Sequence, residues 1–116
     1  MDSKILLKYL KILVGENVDF HEDQEKAINS CLNKGTKTLL VQKTGWGKSA
    51  VYFVAAKALI EESQKMTVIV SPLISLMRNQ ILNAKNLLNI ETINASEDYE
   101  KIKQTEELLV RGKVDV

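Results

Sequence analysis

The sequence predicts an α/β protein in which a parallel sheet is flanked by helices and preceded by a helical N-terminal segment. Short aliphatic or β-branched runs alternate with helical segments after residue 38, and this alternation is typical of parallel sheets. A glycine-bracketed turn joins the first of these runs to a helix. The chain has 116 residues, 45% of them hydrophobic. That length is enough for one domain or part of one.

Periodicity places five helices along the chain, with the strands between the later ones. The predicted helices span residues 3–14, 22–33, 48–62, 75–88 and 97–110, and the predicted strands span 39–41, 67–70, 92–93 and 114–116. The third helix is apolar on most sides, as expected of a helix packed against a sheet. The fifth alternates acidic residues with lysines and is predicted to be a solvated surface helix. Cys31 is predicted to be a buried residue of the second helix.

Composition limits the classes of function. The net charge is +1, so no global field draws the chain to a polyanion, and a nucleic-acid site would have to be local. The single cysteine excludes an internal disulfide and fits a reducing cytosol. Lysines at positions 4, 8 and 11 interrupt the first apolar segment, and no apolar run is long enough to span a bilayer. We therefore expect a cytoplasmic protein with no membrane partner.

The turn at residues 42–49 is the candidate nucleotide site. Gly45 and Gly47 permit the tight backbone that a phosphate requires, at the N-terminus of a helix. Lys48 would reach the β- and γ-phosphates and Ser49 would hold Mg²⁺, so these two are the candidate catalytic residues. The strict phosphate-loop pattern has glycine where Gln42 stands. The alternative is a glycine-rich turn that binds nothing.

Three segments between residues 20 and 80 carry a family resemblance. They are FHEDQ at residues 20–24, KTGWGKS at 43–49 and VIVSPLISLMRNQ at 68–80. In this order they resemble the start of the first RecA-like domain of a superfamily-two helicase, and most closely the RecQ family. The third segment discriminates best, because many phosphate-loop proteins share the second. The resemblance implies a partial RecA-like P-loop domain that uses ATP and Mg²⁺.

The resemblance also implies contacts on the nucleotide side. Gln24 would read the adenine edge, since an amide pairs with both a donor and an acceptor; otherwise it is an exposed residue in the first turn of a helix. His21 stands where the family usually has arginine, and it would stack on adenine or be a solvated or capping residue. Trp46 would lie exposed near the nucleotide or an interdomain surface, or pack on neighbouring protein. The implied nucleotide contacts are completed by Thr44, Gly45, Gly47, Lys48, Ser49 and Ala50.

A strand-contact edge is implied by the third segment. Hydroxyls and N–H groups at a helix N-terminus suit a phosphate, and Arg78 adds charge one turn later. The implied nucleic-acid residues are Ser71, Pro72, Leu73, Ser75, Arg78, Asn94 and Ser96. The alternatives are that Ser75 is an N-cap beside core residues, and that Ser96 caps the helix predicted to begin at residue 97.

The functional prediction is the N-terminal part of an ATP-dependent RecQ-like DNA helicase or translocase. Residues 1–34 would form a helical segment with the adenine motif, and residues 35–116 part of the ATP-binding domain. Its partners would be single-stranded or partly duplex DNA, or RNA, and the rest of the helicase with its second RecA-like domain.

The sequence has no Asp-Glu pair to complete Mg²⁺ binding, so this chain alone is expected to hydrolyse little ATP. The alternatives are a nucleotide-binding regulatory or interaction module without motor activity, and another phosphate-loop enzyme such as a small kinase.

Overall fold

The computed structural model describes residues 2–43, 45–72, 74–93 and 98–116. These residues form five helices: α1 (Ser3–Val14), α2 (Gln24–Leu32), α3 (Lys48–Ser63), α4 (Ile74–Ala84) and α5 (Tyr99–Val110). The order of the five predicted helices is confirmed, and α1 has the predicted bounds. None of the described helices is both long and apolar enough to cross a lipid bilayer.

Local hydrogen bonds set the helix ends. The Asp2 side chain accepts a hydrogen bond from the N–H of Lys4 at 2.9 Å, which caps the start of α1. The Asp98 side chain does the same for α5 by accepting from the N–H of Lys101 at 2.8 Å. Asp98 is therefore the N-cap. The helix begins at Tyr99 rather than at the predicted residue 97, and the alternative cap Ser96 lies outside the described residues.

The predicted parallel sheet is also wrong, because none of the described residues forms a strand. Residues 39–41 and 67–70 do run outside the helices. Only part of their apolar surface is covered, however: Leu40 and Ile69 pack against the apolar clusters, whereas Leu39 is 90% exposed and Val70 is 92% exposed. A strand of a parallel sheet is covered on both faces and bonded to its neighbours along its length, and these segments are not.

Isolated backbone hydrogen bonds join some of the predicted strands. The N–H of Thr67 donates to the carbonyl of Asp115 at 3.0 Å, and the N–H of Glu91 donates to the carbonyl of Val116 at 3.2 Å. These bonds hold the ends of three segments near one another without building a ladder. The alternation of residue types thus identified segments outside the helices, but not how they would pair.

Two apolar clusters organise the described residues, and α3 contributes to both. In the first, α3 packs against α1 and α2 through Leu6, Leu10, Ala27, Ile28, Trp46, Ala50, Val51, Val54, Ala55 and Ala58. In the second, Phe53 and Ala56 of α3 pack with Ala84, Leu87, Leu88 and Ile90 around the end of α4. The helix predicted to be apolar on most sides is indeed largely buried, but against α1, α2 and the end of α4 rather than against a sheet.

Two sequence-based predictions need correction: the burial of Cys31 and the end of the fourth helix. Cys31 is exposed in the last turn of α2, so its predicted burial is wrong. The fourth helix ends at Ala84, four residues before the predicted end at Leu88. The N–H groups of Leu87 and Leu88 both donate to the carbonyl of Ala84 at 3.0 Å, so the chain turns there and returns Leu87 and Leu88 to the core.

Candidate nucleotide and nucleic-acid site

The glycine-bracketed turn forms a loop that leads directly into α3. Gly45 has φ of 86° and Gly47 has φ of 101°, values that residues with a side chain rarely adopt. The N–H of Trp46 donates to the carbonyl of Lys43 at 3.3 Å, closing the turn. Gly47 is the N-cap of α3 and makes no side-chain capping bond. The first N–H groups of α3 lie at the positive end of the helix dipole, where anions bind.

Lys48 adds a positive charge to this loop. It is the first residue of α3, and its Nζ donates to the carbonyl of Gln42 at 2.6 Å. The exposed ammonium group thus lies across the loop, from the helix start back to the loop start. Ser49 follows it and is half-buried, and Ala50 is buried beneath the loop. An ammonium and a helix N-terminus on one loop are the groups that a polyphosphate requires. Thr44 lies outside the described residues.

Gln24 connects α2 to the loop. Its Oε1 accepts from the N–H of His21 at 3.0 Å, and its Nε2 donates to the carbonyl of Gly47 at 3.2 Å. The side chain is only 2% exposed, so the alternative that Gln24 is an exposed residue is wrong. One donor and one acceptor position of the amide remain beyond these two bonds. The amide is covered by protein in this structure, so pairing with an adenine edge would require it to become accessible, and that role stays a prediction.

The two aromatic residues near the loop have different environments. Trp46 is 9% exposed and belongs to the cluster that includes Leu6 and Leu10 of α1. The structure supports the second interpretation of Trp46, in which the ring packs on neighbouring protein. His21 is exposed, and its ring centroid lies 6.5 Å from that of Trp46 with a tilt of 30°. The base-contacting role of His21 stays a prediction.

The candidate nucleic-acid residues lie around the start of α4. Pro72, Ser75 and Arg78 are exposed, and Ser71 is half-buried. Because α4 begins at Ile74, Ser75 is its second residue, and the alternative that Ser75 is the N-cap is wrong. The remaining predicted residues of this site lie outside the described part of the chain: Leu73, Asn94 and Ser96.

Sequence reasoning missed a hydrogen bond between α3 and α4. The Tyr52 hydroxyl donates to Oε1 of Gln80 at 2.6 Å. Tyr52 lies on α3, the helix that the sequence predicts to be apolar on most sides. Burial raises the pKa of the Tyr52 phenol, which favours the protonated hydroxyl that donates this hydrogen bond. The available signal in the sequence was a tyrosine hydroxyl on an otherwise apolar helix, because a buried hydroxyl usually has a hydrogen-bond partner.

Metal binding at the loop would depend on few protein groups. Within the described part of the chain, no group of three or more His, Cys, Asp or Glu residues could hold a metal ion. Magnesium bound with a nucleotide commonly takes one or two protein ligands, with phosphate oxygens and waters supplying the others. The Ser49 hydroxyl at the start of α3 fits that limited requirement.

Comparison with known proteins places the chain in a family. Residues 21–116 match the DEAD/DEAH box helicase family. The ATP-dependent DNA helicase RecQ of Haemophilus influenzae is 33% identical over 97% of the chain, and the ATP-dependent helicase SGS1 of Saccharomyces cerevisiae is 30% identical over 84%. The human ATP-dependent DNA helicase Q4 is 44% identical over 53% of the chain.

The similarity covers most of this chain but little of each relative. The chain spans 18% of the Haemophilus protein, 7% of the yeast protein and 5% of the human protein. No solved structure shows a significant match. The family match includes Gln24, the loop and α4, which are the residues on which the resemblance was based. The chain therefore belongs to the DEAD/DEAH box helicase family, and its relatives there are RecQ-like.

Proposed function

We propose that this chain is the ATP-binding N-terminal portion of an ATP-dependent RecQ-like DNA helicase or translocase. It binds ATP with Mg²⁺ at residues 42–50 and single-stranded nucleic acid at residues 71–80. The observation that carries the proposal is the loop itself. Two glycines at positive φ lead directly into α3, whose first residue places an ammonium over the loop. Family membership supports the same chemistry, since the relatives are named ATP-dependent helicases.

Each residue of the loop has a role in this proposal. The Lys48 ammonium exchanges the carbonyl of Gln42 for the β- and γ-phosphates, because a phosphate oxygen carries more charge than a carbonyl. The N–H groups at the start of α3 receive the phosphates, and Thr44 and Gly45 are further predicted contacts. The Ser49 hydroxyl is the protein ligand of Mg²⁺. Lys48 and Ser49 are thus the catalytic residues that this chain contributes.

The adenine side comes from the first part of the chain. Residues 1–34 supply Gln24 and His21, and residues 35–116 supply the phosphate loop and the strand-contact edge. Gln24 offers its remaining amide positions to the adenine edge, with the exposed His21 ring beside it. Trp46 packs in the apolar cluster that includes residues of α1, and this packing holds the loop in position.

The strand-contact edge uses backbone contacts. Ser71, Pro72, Ser75 and Arg78 would face the phosphates of a single strand, together with the predicted residues Leu73, Asn94 and Ser96. Such contacts do not read sequence. DNA is the proposed substrate, single-stranded or partly duplex, with RNA as the other nucleic acid to test.

Two further parts of the proposal concern the whole protein. A second motor domain of the helicase would complete the ATP site. We place the protein in the cytoplasm, since the free thiol of Cys31 in this chain fits a reducing compartment.

Calorimetric titration of the chain with Mg²⁺-ATP tests the proposal. Replacing Lys48 with alanine should lower the affinity by roughly 10- to 100-fold, since a hydrogen bond to a charged group contributes about 1.5–3 kcal/mol. Lys113→Ala removes another exposed lysine, beyond α5, and should bind ATP like the wild type. Equal affinities of wild type and Lys48→Ala would remove the loop from the site. ATP binding without any oligonucleotide binding would favour the regulatory or interaction module instead.

A further inference from the structure

A polar contact links the helix that carries the phosphate loop to the helix that carries the strand-contact edge. The Tyr52 hydroxyl on α3 donates to Oε1 of Gln80 on α4 at 2.6 Å. Tyr52 lies four residues after Lys48, and residues at this spacing share one face of a helix. Gln80 lies two residues after Arg78. The contact therefore begins one helical turn from the proposed ATP site and ends within the proposed nucleic-acid segment.

The surroundings of Tyr52 hold its ring in place. The ring meets that of Phe53 edge to face, with centroids 4.8 Å apart and an interplanar angle of 63°. Phe53 is buried in the cluster that also contains Ala84 at the end of α4. The two helices thus share an apolar anchor at Ala84 and a polar link at Gln80. A shift of the start of α3 moves the Tyr52 hydroxyl, because a helix of 16 residues transmits displacement along its length.

We propose that Tyr52 is a positioning residue that couples ATP binding at the loop to nucleic-acid binding on α4 through its hydrogen bond to Gln80. This inference rests on the proposed function of the two sites. Phosphates bound at the first turn of α3 displace that turn, and the hydrogen bond carries the displacement to Gln80, which lies in the same turn of α4 as Arg78 but on a different face. By thermodynamic linkage the effect is reciprocal, so a bound strand changes ATP affinity by the same factor.

The coupling factor is the quantity to measure. It is the ratio of the dissociation constants of a fluorescent single-stranded oligonucleotide without and with a saturating nonhydrolysable ATP analogue and Mg²⁺. Tyr52→Phe removes the hydroxyl and keeps the ring against Phe53. We expect it to move the ratio toward one by about 3- to 10-fold, which corresponds to losing one hydrogen bond. Each ligand alone should bind within about twofold of the wild type, a change smaller than one hydrogen bond.

Two other variants separate coupling from folding. Gln80→Met removes the acceptor from the α4 side and should change the ratio as Tyr52→Phe does, with no further change in the double variant. Tyr9→Phe also removes a hydroxyl from a half-buried tyrosine, on α1, and should keep the wild-type ratio. A variant that only loosened the fold would lower the thermal unfolding midpoint and weaken both ligands together, without bringing the ratio to one.

The outcomes distinguish this inference from the function on which it rests. If wild type binds both ligands and Tyr52→Phe keeps the wild-type ratio, or if the wild-type ratio is already one, the coupling role of Tyr52 is overturned while the two sites stand. If the wild type binds neither ligand, the proposed function fails and the coupling with it. As a cross-check, the oligonucleotide must shift the affinity for the ATP analogue by the same factor.

Discussion

Gly47→Ala should destabilise the chain more than an ordinary glycine replacement at positive φ. Gly47 has φ of 101°, and a Cβ added there would lie 2.6 Å from Nε2 of Gln24. The left-handed conformation alone costs a residue with a side chain roughly 1–2 kcal/mol. The contact adds a second term, because Gln24 can move away only by giving up its bonds to Gly47 and His21.

The second term can be sized from the burial of Gln24. Its side chain is 2% exposed, so an amide that loses its partners is not resolvated by water. A buried polar group left unpaired costs about 1–3 kcal/mol. The sum for Gly47→Ala is therefore about 2–5 kcal/mol of unfolding free energy.

Gly112→Ala is the matched control for the backbone term. Gly112 has φ of 68°, and a Cβ there would meet nothing within 4 Å. Its replacement should cost only the roughly 1–2 kcal/mol of backbone strain. In a Gln24→Ala background the contact no longer exists, so the unfolding free energy lost through Gly47→Ala should fall to about that lost through Gly112→Ala.

Urea unfolding followed by far-ultraviolet circular dichroism measures these free energies, provided that the denaturant slope is the same for every variant. Additivity of Gln24→Ala and Gly47→Ala would show that the two residues do not interact. A cost for Gly47→Ala no greater than that for Gly112→Ala would refute the reasoning directly. The bond between Gln24 and the loop would then have no energetic role.

Three further predictions concern ligands. Gln24→Ala should weaken ATP by about 1–2 kcal/mol and weaken inorganic triphosphate less; equal losses in calorimetry would leave Gln24 only its structural bond to Gly47. Arg78→Ala should lower affinity equally for two unrelated single strands and make the salt dependence shallower by ~0.7; titrations in which slope and affinity are unchanged would remove Arg78 from the site. With Mg²⁺ and single strands, the isolated chain should turn over ATP far more slowly than the ~1–100 s⁻¹ of complete kinase-type phosphoryl-transfer sites. A turnover rate in that range, measured by phosphate release, would show that the chain has catalytic groups beyond Lys48 and Ser49.

The fold was predictable where its cause is local. Helical periodicity gave all five helices in order, and α1 has its predicted bounds because Asp2 caps its start and Gly15 ends it. The predicted sheet is wrong, because strand pairing depends on segments far apart in the chain and residue types alone do not determine it. Leu39 and Val70 show the difference: their residue types suit a strand, but no neighbouring segment covers them.

The candidate site also has a local part that the sequence predicts and a nonlocal part that it does not. The loop could be found from sequence because its glycines and Lys48 are neighbours in the chain. The bond from Gln24 to Gly47 spans 23 residues and the bond from Tyr52 to Gln80 spans 28. Neither pair has a spacing that indicates contact, so both became visible only in three dimensions. The first bond joins two of the sequence motifs, and the second joins the helix that follows the loop to the third motif.

The bond between Gln24 and Gly47 changes what adenine recognition would involve. A residue that reads a base and touches nothing else could be replaced without consequence for the phosphates. Gln24 instead holds the carbonyl of the residue that caps α3, immediately before Lys48. A base that pairs with the Gln24 amide therefore acts on a group already bonded to the phosphate loop. Base identity and phosphate geometry would then be sensed by one connected structure, and a nucleotide with the wrong base would be penalised at the loop as well as at its own edge.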